Sequence, residues 1–234
     1  MKTITGERSR ILTQAADQIV DYIDLHPHAV IALGANDDCL LLYRALRQRL
    51  DEGRLDLSRT RFFGVTEFEG IAPDDPNSCR YRLREALLDK ADPSGERSIF
   101  LDPDRAERYD GLIAEAGGLD LAILGVGQRG RIGFNEPGTP FDSQTHRQKL
   151  TKATKRELSE VFGGEDRVPD FGLTMGIHTI VGAKEILVFT CGEDKADPVF
   201  RMLYARDDSF VPAAFLQLPL QVTVYADEKA AAKL

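Results

Sequence analysis

Short, almost wholly apolar runs alternate with amphipathic stretches along most of this 234-residue chain, and that alternation narrows the folds open to it. The runs are "HAVIAL" (His28–Leu33), "TRFFGVTEF" (Thr60–Phe68), "RSIFLD" (Arg97–Asp102), "LDLAILGV" (Leu119–Val126), "EILVFTCG" (Glu185–Gly192) and "LQVTVYAD" (Leu220–Asp227). A strand with no polar residue at every second position is covered on both faces, as in a parallel sheet. Between the runs lie helical patterns. "RILTQAADQIVDYIDL" sets Ile11, Ala15, Ile19 and Ile23 on one face. "CLLLYRALRQRLDEG" closes on Gly53, a residue suited to the left-handed turn that ends helices. "CRYRLREALLDKA" follows a loop, Asp74 to Ser78, whose serine is a natural N-cap. "PDRAERYDGLIAEAGG" opens on proline and closes on two glycines, and "DKADPVFRMLYAR" is a further helix. Strands alternating with helices imply a parallel sheet between helical layers. The expected fold is an α/β three-layer sandwich with a mostly parallel, Rossmann-like sheet, residues 1–234 forming one domain.

Charge and cysteine usage exclude several classes. A net charge of -8 argues against a general nucleic-acid or acidic-membrane binder, which would carry a basic face. Cys39, Cys79 and Cys191 are far apart in sequence and show no C-x-x-C spacing, so neither a disulfide framework nor a cysteine zinc site is expected. The N-terminus is interrupted by charge, unlike a signal peptide, and no run has the length of a membrane span. The reading is a cytoplasmic protein with a small-molecule partner.

In open α/β sheets ligands bind beyond the carboxyl ends of the strands. The segments placed there are "GANDDC" (Gly34–Cys39), "TEFEG" (Thr66–Gly70), "GVGQRGRIGFNEPG" (Gly125–Gly138) and "TCGEDK" (Thr190–Lys195). The third is unusual: a glycine-rich turn carrying two permanent positive charges, Arg129 and Arg131.

With these segments in view, "GLDLAILGVGQRGRIGFNEPGTPFDSQT" resembles the glucosamine-6-phosphate deaminase and galactosamine-6-phosphate isomerase family, relatives of the 6-phosphogluconolactonases. The family's wording there is close to L-G-I-G-x-D-G-H-I-A-F-N-E-P-G. "VPDFGLTMGIHTIVGAKEILVFTCGEDKADPVF" and "VPAAFLQL" are similar to further family segments in the same order. The resemblance implies an enzyme of amino-sugar metabolism that opens a hexosamine 6-phosphate ring, moves a proton between C1 and C2, and releases ammonia. It implies no cofactor and no metal. Its partner would be a sugar or sugar phosphate, and a homo-oligomer is left open.

The family's chemistry needs a carboxylate base and a histidine that passes a proton to the ring oxygen, both titrating near working pH. Carried over position by position, the base falls on Thr66, the histidine on Arg131, and an aspartate two residues earlier on Arg129. Only the supporting glutamate is kept, as Glu136. A threonine hydroxyl is no general base near neutral pH, and arginine stays protonated. The family's phosphate loop falls on Ala35, Asn36, Asp37, Asp38 and Cys39, so two carboxylates stand where a dianion binds. One such contact at about 4 Å costs roughly 4 kcal/mol at an effective dielectric of 20. Lys195, matching the family's phosphate-contacting lysine, is retained.

Four further expectations follow. Asp37 and Asp38 either cap and charge the start of a helix or pair with Arg129 and Arg131 across the crevice. Glu67 and Glu69, flanking Thr66, are candidates for a replacement base, and His146 and His178 for a moved acid–base group. Cys39 and Cys191 lack activating neighbours. Ser143 to Lys149 has lost most charged matches to the pattern that family members use for an allosteric amino-sugar phosphate. Three functions remain: a hexosamine-6-phosphate enzyme, a catalytically silent sugar or sugar-phosphate binder or sensor, and an enzyme with altered chemistry on another small ligand.

Overall fold

The computed structural model describes residues 1–205 and 210–234. In chain order the elements are β1 (Lys2–Gly6), α1 (Arg8–Leu25), β2 (Val30–Leu33), α2 (Asp37–Asp51), β3 (Arg61–Gly64) and β4 (Thr66–Phe68). Next, α3 (Cys79–Leu83) runs through a π-helical segment, Arg84–Leu88, into α4 (Asp89–Ala91). Then come β5 (Ser98–Ile99), α5 (Tyr109–Glu115), β6 (Leu121–Leu124), β7 (His146–Lys149) and α6 (Lys152–Phe162). β8 (Phe171–Thr174), α7 (Ile177–Val181), β9 (Glu185–Thr190), α8 (Ala196–Tyr204) and β10 (Val222–Asp227) complete the chain.

Seven strands form one sheet in the order β1-β10-β9-β6-β2-β3-β5. Every neighbouring pair in it is parallel. Alternate residues of its strands feed two separate cores. Ile31, Leu33, Leu121, Ile123, Leu187 and Phe189 pack on the face that carries α1 and α2. Val30, Ala32, Ala122, Leu124, Ile186 and Val188 pack on the other, with residues of α5 and α8. This double burial is the physical meaning of the uninterrupted apolar runs, and the three-layer α/β expectation holds. Ile11, Ala15, Ile19 and Ile23 of α1 are all buried, as their spacing requires.

A second sheet, β4-β8-β7, is antiparallel and was not expected. "TRFFGVTEF" is split between the two sheets. β3 ends at Gly64, and Val65 donates its N–H to Leu33 O while accepting from Met175 N. β4 then pairs with β8 instead of β2. Lys2–Gly6 is also an unexpected strand; it extends the main sheet beside β10. The helix expected over "DKADPVFRMLYAR" spans Ala196–Tyr204, and Arg206 lies outside the described residues. No helix among the described residues is long and apolar enough to cross a membrane.

Candidate functional site

β6 lies between β2 and β9, so the segments leaving their carboxyl ends come together over the sheet edge. The residues after β2, Gly34-Ala35-Asn36, lead into α2. Asn36 caps that helix by accepting from Cys39 N at 3.2 Å. The cap side chain packs so closely on the β6 segment that a Cβ at Gly125 would lie 1.9 Å from Asn36 Nδ2, which is why glycine stands there. The β6 segment then makes a tight turn. Gly130 N donates to Gly127 O, Gly127 N donates to Arg131 O, and Gly130 takes φ +72°, a region that glycine enters without steric cost.

These segments, with β4, α3 and α6, enclose a cavity lined by Ala35, Asn36, Thr66, Cys79, Arg82, Arg131, Phe134 and Glu157, among others. It leaves about 70 Å³ for the centres of water-sized molecules. That holds a few waters at roughly 10–15 Å³ each, against the several hundred cubic ångströms typical of a small-molecule site. None of the lining residues is a histidine.

Arg131 points into the cavity wall. Its guanidinium donates to Gly133 O, sits 5.5 Å over the Phe134 ring, and lies 3.4 Å from Glu157 Oε2 on α6. Lys195, in the 3-10 turn after β9, reaches the other oxygen of the same carboxylate at 3.8 Å and Asp194 at 2.9 Å. Gln128 N also donates to Glu157 Oε1, at 3.4 Å. Glu157 is thus held from the β6 and the β9 segments at once. At an effective dielectric of 20 the two ion pairs amount to about 5 and about 4 kcal/mol of gross attraction, before the cost of partial desolvation.

The expected pairing of Asp37 and Asp38 with Arg129 and Arg131 does not occur. Because Asn36 is the cap, both aspartates fall in the first turn of α2, where the helix dipole favours them. From there Asp37 pairs with Arg82 of α3, and Asp38 lies 3.8 Å from Arg8 of α1. Asp38 also accepts from Cys191 N at 3.2 Å. Burial pushes its carboxyl up to about 6, against that hydrogen bond and the charges of Lys195 and Arg8. Arg129 is exposed on the turn, with no ion pair to a described residue. Charge compensation is real but uses partners that the sequence did not suggest: Arg8, Arg82 and Glu157. Asp37, Asp38, Arg129 and Lys195 stand around the cavity and do not line it.

Thr66 is buried in the lining, with its hydroxyl 3.4 Å from Cys79 Sγ. Burial and the nearby Glu67 push the Cys79 thiol up to about 12, and burial raises Cys39 and Cys191 as well, so none of the thiols is activated. Neither flanking glutamate lines the cavity. Glu67 turns to the start of α3, accepting from Ser78 Oγ, Cys79 N and Arg80 N at 2.8–3.0 Å, and from Phe68 N at 2.8 Å. Glu69 is tied to Arg147 by two bonds of 2.7 Å, and that hydrogen bonding holds its carboxyl below the usual range.

Glu136 is buried and outside the cavity lining; it accepts from Thr151 N at 3.1 Å and Thr151 Oγ1 at 3.3 Å, bracing the N-cap of α6. His146 lies on β7, bonded to Gln144 O and Gln148 Oε1, and His178 is exposed on α7 beside Phe141. Neither lines the cavity. Two lining residues went unnoticed in the sequence. Arg82 is one of three arginines in "RYRLR", and Glu157 sits in "TKRELSEVF", a helix of ordinary polarity; nothing local distinguishes them.

A model of the glucosamine-6-phosphate isomerases and 6-phosphogluconolactonases matches residues 9–225. The chain belongs to this family. Among the members it resembles, a glucosamine-6-phosphate deaminase of Bacillus velezensis is 37% identical over 240 residues, covering 99% of both chains. One of Rhodopirellula baltica is 37% identical, covering 99% of this chain and 94% of its own. A solved monomeric glucosamine-6-phosphate deaminase superposes with a TM-score of 0.94 at 32% identity over the full length of both chains. The 6-phosphogluconolactonase of Thermotoga maritima shares the fold, with a TM-score of 0.76 at 20% identity. In this chain an arginine–glutamate–lysine bridge, Arg131–Glu157–Lys195, spans the crevice.

Proposed function

We propose that this family member binds a sugar or sugar phosphate in the crevice between the β2, β6 and β9 segments, with reduced or absent deaminase turnover. The observation that supports the reading is the cavity lining: Thr66 and Arg131 both line it, at the positions to which the resemblance assigns the family's proton-transferring groups. A hydroxyl and a guanidinium do not exchange protons near neutral pH. The carboxylates nearby have other work. Glu67 caps a helix, Glu136 braces another, and Glu157 is clamped between two cations. The deaminase relatives and the retained Lys195 support a sugar phosphate as the ligand class.

The test is incubation with glucosamine 6-phosphate and with galactosamine 6-phosphate, reading ammonia and ketose phosphate together with ligand-dependent thermal stabilisation. Stabilisation without product is the expected result. Turnover at an ordinary enzyme level of about 1–1000 per second overturns the reading.

A further inference from the structure

We infer that Glu157 is the resident anion of the crevice, a gate whose carboxylate an incoming phosphoryl group must displace from Arg131 and Lys195. The inference deepens the sugar-phosphate reading, and rests on it for the nature of the competing anion.

The geometry is that of an anion site already filled. Two cations arrive from different strands, Arg131 from the β6 turn and Lys195 from the β9 turn, and a backbone amide, Gln128 N, joins them. Each carboxylate oxygen is engaged: Oε2 by Arg131, and Oε1 by Lys195 and Gln128 N. A guanidinium, an ammonium and a backbone N–H converging on two oxygens are donors suited equally to a phosphoryl group. Both cations are largely buried, with side chains 11% and 13% exposed, so solvent screens the exchange only weakly.

The carboxylate also has a mechanical consequence. α6 contributes Glu157 and its neighbour Leu158 to the cavity wall, so the ion pairs hold the middle of the helix over the opening. The ends of α6 are anchored separately, by Glu136 on Thr151 at the start and by Phe162 against Phe68 at the finish. Releasing Glu157 removes its two ion pairs while both anchors, the packing of Leu158 and the Lys155–Asp170 pair remain, so the helix stays docked while its carboxylate swings away. Glu157 lines the same narrow cavity, so a phosphoryl group held by both cations takes the place of its carboxylate. A dianion holding both cations compensates for the lost ion pairs, whereas a neutral sugar does not. The gate therefore selects anionic ligands.

The experiment uses Glu157→Gln, which keeps shape and removes charge, with inorganic phosphate as the probe at constant ionic strength, read by calorimetry and by thermal shift. The expected result is that E157Q binds phosphate at least tenfold more tightly than the parent protein, and that adding Arg131→Gln abolishes the gain. Urea denaturation and circular dichroism of each variant establish that it is folded; Glu157→Asp, with charge kept and reach shortened, is the second variant and should show a smaller gain. Phosphate affinity of E157Q within twofold of the parent or weaker, absence of phosphate binding in both, or a gain that survives loss of Arg131 overturns the gate. Sugar-phosphate binding by the parent protein is scored separately, so failure of the gate and failure of the ligand class give different results.

Discussion

Replacing Glu67 by alanine separates a structural carboxylate from a displaced catalytic base, because the two roles cost different things. The side chain is 8% exposed and accepts hydrogen bonds from Ser78 Oγ, Cys79 N, Arg80 N and Phe68 N. The bonds from Ser78 Oγ, Cys79 N and Phe68 N are buried, and truncation strands all three donors. Each stranded buried donor costs about 1–3 kcal/mol. Loss of the negative charge from the first turn of α3 adds about 0.3–1 kcal/mol. The sum is about 3–10 kcal/mol, comparable with the 5–15 kcal/mol by which domains are ordinarily stable. Glu67→Gln should cost less, about 1–2 kcal/mol, since the amide retains one acceptor oxygen but turns an NH2 group toward the Arg80 amide. Urea denaturation at neutral pH measures both, and the midpoint should fall in the order wild type, Gln, Ala. A loss below about 1 kcal/mol for Glu67→Ala would refute the capping argument.

Other predictions rest on different parts of the site. The Asp38 carboxyl is raised from 3.8 to about 6 by burial. Its stabilising contribution is therefore complete below about pH 4 and lost as pH rises through about 6, a difference of up to about 3 kcal/mol. Asp38→Asn, which keeps an acceptor for Cys191 N, should match wild type at pH 4 and exceed it at pH 7 in urea midpoint; a variant less stable at pH 7 contradicts the assignment. Gly125→Ala drives a Cβ into the Asn36 side chain and should remove the α2 cap, lowering stability by about 1–2 kcal/mol in the same assay. An unchanged midpoint would show that Asn36 is free to move. All three cysteines are buried with raised thiols, so Ellman's reagent at pH 8 should label the native protein slowly and yield three thiols only after unfolding. Rapid native labelling of any one would contradict the packing.

The parts of the fold legible in the sequence are those set by local periodicity. Leu121 to Leu124 read as a central strand because both faces are covered, and α1 read correctly because one apolar residue per turn points inward. β4, β7 and β8 were not legible as a sheet. His146 to Lys149 alternates between half-buried and exposed and carries no apolar run, and the break at Val65 depends on backbone partners far away in sequence, Leu33 and Met175. The candidate site shows the same division. Thr66 and Arg131 stood out by their identities alone, and both line the cavity. Which charge meets which does not follow from identity. Asp37 turns to Arg82 and Arg131 to Glu157 because helix phase and cap position orient the side chains, and both are fixed by tertiary packing.

Hydrogen exchange at C2 of the sugar measures proton abstraction in the crevice most directly. Glucosamine 6-phosphate in D2O with the protein at neutral pH, followed by proton NMR, reports each abstraction whether or not ammonia is released. An intact C2–H signal over hours, with thermal stabilisation showing that the sugar is bound, is the predicted result. Deuterium entering C2 at about one event per second or faster would place a working base in the crevice and contradict the account.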